Sequence, residues 1–131
     1  MRNVLIAVAL AGLAGGCREA AAPNPVRPTT PETELRDLGE MFQLFAQENR
    51  RPPKNLADLG TISPEPPPGY LAAEEGRIVV LWGGAFTTGA GKSAVMAYEK
   101  DAPNRGGFVL LQDGTVKQMN AAEFQAAPKA K

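Results

Sequence analysis

Two groups of residues in this chain have the types and spacing for chemistry. Gly89-Ala90-Gly91-Lys92-Ser93 sets a lysine and a hydroxyl directly behind glycines, the arrangement in which backbone amides cradle a phosphate and the lysine neutralises it. The full phosphate-loop pattern also needs a glycine five residues before Gly91, and that position is Phe86. Such a loop must open a helix whose first amides face the phosphate. Here Ala94 to Glu99 reads as a strand and Pro103 to Gly107 as a break, which leaves no length for a full helix. No nucleotide is therefore expected, and 83–92 reads as a glycine-rich connection between strands. The second group is acidic: Glu65, Glu74, Glu75, Glu99, Asp101 and Asp113. A glycosidase holds two carboxyls about 5 to 9 Å apart across a cleft, and one Trp with two Tyr is little material for its walls. Glu99, Asp101 and Asp113 offer oxygen ligands to calcium, but no DxDxDG-type run carries them. Surface and turn roles are expected for these carboxylates.

Composition removes further classes. The 131 residues contain no histidine and one cysteine, Cys17, so a structural zinc site, a Cys/His pair and a Ser-His-Asp triad are excluded within one chain. Lys and Arg number 14 and so do Asp and Glu, and this balance gives no electrostatic footprint for nucleic acid. No catalytic residue, metal or cofactor is assigned, and the chain is not read as an enzyme.

The N-terminus reads as an address. Arg2 is the only charge before position 18, and Val4 to Leu13 is an apolar run of ten residues, the layout of a secretory leader. A bilayer-spanning helix needs roughly 20. The run closes on Leu13-Ala14-Gly15-Gly16-Cys17, which resembles the lipobox of bacterial lipoproteins, with Leu13 four residues before the cysteine where the family has three. The resemblance implies cleavage before Cys17 and a diacylglycerol on its thiol, hence an envelope protein held by lipid to the periplasmic or outer face of a bacterial membrane. The alternative is an ordinary export signal, cut after Gly16 or within Ala20-Ala21-Ala22, and a soluble secreted product. Residues 18–31, with four prolines and Val26 as the one large aliphatic residue, cannot offset ordering entropy by burial and read as a disordered tether.

The remaining chain, 32–127, must fold by its core alone. Thr30-Pro31 is a hydroxyl cap followed by proline at the first helical position, and Leu35, Leu38, Phe42 and Phe45 then recur at helical spacing. Pro52-Pro53 ends that helix, and Asn55 to Gly60 reads as a short capped turn, with Leu56 and Leu59 toward the core. Ser63 to Tyr70, with three consecutive prolines, reads as a rigid loop. The period then changes to that of strands, at 77–82, 94–99, 108–112 and 115–119. Asp113-Gly114 predicts a two-residue type I′ hairpin, with Leu111 opposite Val116, Val109 opposite Gln118 and Phe108 opposite Met119. Asn120 and Glu123 have capping-box spacing, with Met119 and Phe124 placed as a hydrophobic staple. Pro128 to Lys131 reads as a polar tail. Helices before strands, without βαβ alternation, predict an α+β domain: one long amphipathic helix on an antiparallel sheet of three or four strands.

Two stretches extend this to a family resemblance. Leu35 to Leu59, with Asn49-Arg50-Arg51-Pro52 and Asn55-Leu56-Ala57-Asp58-Leu59, is similar to the segment of type II secretion pseudopilins in which a long helix ends in an N-x-R-x-P-x-x-L-x-x-L-like turn. Val95 to Lys100 with Gly106 to Val116 resembles the C-terminal H-x9-DG segment of pilin-like families. Pro103 stands where that histidine is expected, and the long apolar N-terminal helix with its GFTLxE-type cleavage site is replaced by the lipobox-like leader. The resemblance thus implies a pseudopilin-like globular domain without filament assembly. The resulting expectation is a non-enzymatic, lipid-anchored structural or secretion-accessory module with an envelope protein as partner, and the alternative is a small binding domain for calcium or a glycan.

Overall fold

The computed structural model describes residues 29–86 and 94–131. Its first helix, α1, spans Pro31–Asn49. Thr30 Oγ1 accepts from the Thr33 N–H at 3.3 Å, Pro31 takes the first position, and Glu32 and Glu34 lie in the first turn, as the positive end of the helix dipole favours. Arg50 closes the other end in the left-handed conformation, φ 54°, its N–H donating to the Ala46 carbonyl at 2.9 Å. Pro52 and Pro53 then prevent continuation. The Asn55 side chain caps α2, Leu56–Gly60, by accepting from the Asp58 N–H at 2.9 Å. Leu59 is buried there and Leu56 half-buried.

The proline-rich run is not a loop to its end. It delivers the chain into a third helix, α3, Pro68–Glu74, which overturns the expectation of a loop through Tyr70. Pro68 sits at the first helical position, where a fixed φ helps and the missing N–H is not needed. Gly69 lets α3 press against α1: a Cβ there would stand 2.2 Å from the Glu34 carbonyl oxygen.

Four strands follow, β1 Ile78–Val80, β2 Val95–Glu99, β3 Gly107–Leu111 and β4 Val116–Met119, in an antiparallel sheet ordered as in the chain. Between β2 and β3 lies α4, Ala102–Arg105, and after β4 comes α5, Ala121–Ala126. The architecture is α+β, with the long helix packed on the sheet. Leu35, Leu38, Met41, Phe42 and Phe45 of α1 join Leu59, Ala72, Ile78, Met96, Ala97 and Leu110 in one buried cluster. A bulge in β2 between Val95 and Ala97 turns the adjacent Met96 and Ala97 both toward α1, which regular alternation would forbid. The opposite face is covered too: Val95, Val109, Leu111 and Met119 pack with Ala102 of α4 and Phe124 of α5. The sheet therefore lies between two helical layers.

The β3–β4 hairpin differs by one residue from its predicted register. Leu110 faces Val116, Val109 faces Lys117, Phe108 faces Gln118 and Gly107 faces Met119. The Gly114 N–H donates to Leu111 O at 3.0 Å and the Leu111 N–H to Thr115 O at 2.9 Å. Gly114 alone in the turn has positive φ, 86°, so this is a three-residue loop ending in a left-handed glycine and not a type I′ turn. The Asp113 carboxylate selects it by accepting from the Thr115 N–H at 2.9 Å, a local bond typical of Asp in turns. The capping box of α5 forms with both of its bonds. The C-terminal residues are also built in: Val95 N–H donates to Pro128 O at 2.8 Å, and Ala130 N–H to Val95 O at 2.9 Å.

Candidate functional site

The described residues bring few chemical groups together. Cys17 and Gly89 to Ser93 lie outside them, so the lipidation residue and the lysine motif have no described geometry. Strand β2 begins two residues after Ser93, where a phosphate loop would need a helix. Glu65 is exposed beside the prolines, and Glu74 and Glu75 end α3, Glu75 pairing with Arg77 at 2.7 Å. Glu99 Oε2 accepts from the Phe108 N–H at 2.5 Å. Asp101 precedes α4 without capping it through its side chain. Asp113 is at the other end of the sheet from Glu99, roughly 13 Å along β2 at the rise of a strand, so the three carboxylates considered for calcium do not converge. No group of three or more metal-ligating side chains occurs among the described residues.

The tryptophan and the two tyrosines are also dispersed. Trp82 stacks on Phe42, centroids 5.7 Å apart and planes 13° from parallel. Tyr70 lies over Gly60, its hydroxyl 3.3 Å from where a Cβ would be. Tyr98 meets Phe124 edge-on at 4.8 Å, on the opposite face of the sheet. Trp82 and Tyr70 pack at separate points against the core on the α1 side, and Tyr98 packs on the other face of the sheet.

Sequence reasoning missed the one buried charge among the described residues. Glu34, in the first turn of α1, has a side chain 2% exposed. Its Oε1 accepts from Arg77 Nη1 at 2.6 Å and from Thr29 Oγ1 at 3.1 Å. The Glu34 and Glu75 carboxylates raise the Arg77 pKa above its ordinary value, Glu34 contributing most. The pair joins the start of α1 to the start of β1 across 43 residues. A concavity of about 240 Å³ beside it holds Glu34, Glu99 and Asp101 among Arg77 and Lys100. Of these, Glu34 and Arg77 form an ion pair, and Glu99 is taken by the Phe108 N–H. The signal available in the sequence was an acid four residues before Leu38 and seven before Met41, which puts it on the apolar face one and two helical turns earlier.

A groove of about 450 Å³ lies where α1 ends, with Phe42, Ala46, Arg50, Arg51, Pro52, Pro53, Gly84 and Phe86 among its lining residues. Phe86 is held edge-on to Phe42 at 6.1 Å, so the floor is fixed by the same ring that Trp82 stacks on. Arg51 is committed elsewhere: it donates to Asp58 at 2.8 and 3.3 Å and lies 4.9 Å over the Phe45 ring. That contact raises the Arg51 pKa and lowers that of Asp58. No carboxylate lines the groove among the described residues. A second hollow, on the other side of the exposed ridge of α1, has Asp37 and Glu40 beside Met41, Leu44 and Ile62. Burial raises the Asp37 pKa, opposed by the N–H of Gly69.

Comparison with family models, with curated proteins and with solved structures finds no match for this chain.

Proposed function

We propose that this is an exported, lipid-anchored and non-enzymatic envelope protein, a structural or secretion-accessory module of pseudopilin-like type tethered through Cys17. The observation that carries the reading is the dispersal of its carboxylates, its tryptophan and its tyrosines. Trp82 and Tyr70 contact different residues of the α1-side core and Tyr98 lies on the opposite face of the sheet, and Glu99, Asp113 and Glu34 are each engaged in holding backbone or a neighbouring element. Catalysis needs an acid, a base or a nucleophile aimed at one point, and such convergence is what dispersal argues against. No helix among the described residues is long and apolar enough to cross a membrane, and the lipid-anchored reading calls for an anchor outside the folded part. The leader ending in Ala14-Gly15-Gly16-Cys17 supplies one.

Expression of the wild type and of Cys17→Ser, followed by membrane fractionation and intact-mass measurement, tests this. The expected result is a membrane-bound wild type carrying an acyl increment and a variant that partitions to soluble fractions. An unmodified wild type, or unchanged partition of the variant, would sink the lipid anchor.

A further inference from the structure

We propose that the groove at the end of α1 binds a long-chain monocarboxylate, with the chain against Phe42, Ala46 and Phe86 and the carboxylate on the Arg50 guanidinium. This goes beyond the envelope reading and does not rest on it. Three observations lead to it. A concavity of about 450 Å³ is within the range of small-molecule sites, which are mostly apolar with a few polar groups that fix orientation. Among the described residues its charge is of one sign, since Arg50 and Arg51 line it and no carboxylate does. Arg51 is engaged by Asp58, whereas Arg50 has no ion-pair partner among the described residues.

The third observation is the backbone of Arg50. It is the only described residue other than glycine with positive φ, at a helix end where glycine or asparagine is the comfortable choice. An arginine held there accepts a conformational penalty, and such outliers concentrate at ligand sites. The walls favour a small molecule over an extended peptide. Pro52 and Pro53 have no N–H, so that side cannot supply the main-chain donors on which strand-like peptide recognition depends. What remains is apolar contact, which is not directional, and a single charged recognition point.

The lone tryptophan is a built-in reporter, because Trp82 stacks on the Phe42 ring that floors the groove. The full chain carrying Cys17→Ser would be titrated with dodecanoate below its micellar concentration, and in parallel with dodecyltrimethylammonium, while Trp82 fluorescence is followed. Saturable binding of dodecanoate and weaker binding of the cationic amphiphile are expected. Arg50→Asn suits the left-handed backbone and should keep its melting temperature or raise it, yet bind dodecanoate about tenfold more weakly, the scale of one charge-assisted hydrogen bond. Arg50→Lys should recover most of the affinity. Equal binding of both amphiphiles with no effect of Arg50→Asn would reduce the groove to an apolar adsorption surface and overturn the proposal, as would the absence of saturable binding. Self-association without ligand, abolished by Phe86→Ala in sedimentation, would place a second copy in the groove and overturn it equally.

Discussion

The two faces of the sheet are covered in opposite ways. On one, a helix of 19 residues supplies Leu35, Leu38, Met41, Phe42 and Phe45. On the other, helices of four and six residues bring Ala102 and Phe124. Helices that short are not stable alone in water, so α4 and α5 exist because tertiary contacts hold them. Those contacts are few: the Tyr98–Phe124 ring pair and the Gln125 side chain donating to Pro103 O of α4 at 3.1 Å, with local support from the Asn120–Glu123 capping box and from Lys129 Nζ donating to the carbonyls of Phe124 and Ala127 at 2.5 and 2.6 Å. A long element can form by its own periodicity and then dock, whereas a short one has to be fastened.

The largest effects should come from emptying each face. Phe42→Ala is expected to cost about 4 kcal/mol and Phe124→Ala about 3 kcal/mol, within the range for buried aromatic truncations, measured by urea unfolding. A cost under about 1 kcal/mol for Phe124→Ala would break the comparison, by showing that the second layer is an appendage and not a core. Gly69→Ala comes next. Its Cβ would lie 2.2 Å from the Glu34 carbonyl and 2.9 Å from the Leu38 nitrogen, so backbone must move. A loss of about 2 to 3 kcal/mol is expected from overpacking of this kind, and an unchanged denaturation midpoint would mean that α3 does not rest on α1 as described.

A smaller effect tests the hairpin that serves both faces. Gly114 has φ 86°, a region that a β-branched residue enters only under strain. Gly114→Val should destabilise by about 1 to 3 kcal/mol. Asp113→Asn keeps an oxygen for the Thr115 N–H and should stay within about 0.5 kcal/mol of wild type. Equal melting temperatures for wild type and Gly114→Val would remove the left-handed turn.

What the sequence disclosed follows the same division. Thr30-Pro31, Asn55 and the Asn120–Glu123 pair are local signals whose hydrogen bonds close within three residues, and all three caps form. The hairpin was legible in kind and not in register, because Asp-Gly fits both a two-residue loop and the three-residue one, and the choice rests on the Asp113–Thr115 bond. The Pro68 helix escaped because proline at a first helical position and proline in a rigid loop look alike until Gly69 is seen against α1. The site was the least legible part. Glu34 is buried only because Arg77, 43 residues away, arrives to pair with it, and the groove joins α1 to Phe86 across a separation no local pattern encodes.

The smallest effects expected are those of two carboxylates on the helical side, and their signs are opposite. Asp58 accepts from Arg51 and from the Lys54 N–H, and its pKa is lowered in the folded protein, chiefly by the bond from Arg51. Its contribution is present above the unfolded value of about 3.9 and is lost as pH falls through the lower folded value, because the unfolded chain then gives up less on protonation. Asp37 is raised, chiefly by burial, so its ionisation opposes folding. That penalty is complete above the folded value and disappears as pH falls toward the unfolded one. Asp58→Asn should therefore melt below wild type at pH 7, and Asp37→Asn, which keeps an acceptor for the Gly69 N–H, should melt at or above it. Melting curves followed from pH 7 into the acid range should bring Asp37→Asn to the wild-type value first, as the raised carboxyl protonates, and Asp58→Asn only at the more acid end. Convergence in the reverse order would mean that the Arg51 bond does not hold Asp58 ionised, and that burial under α3 is not what Asp37 experiences.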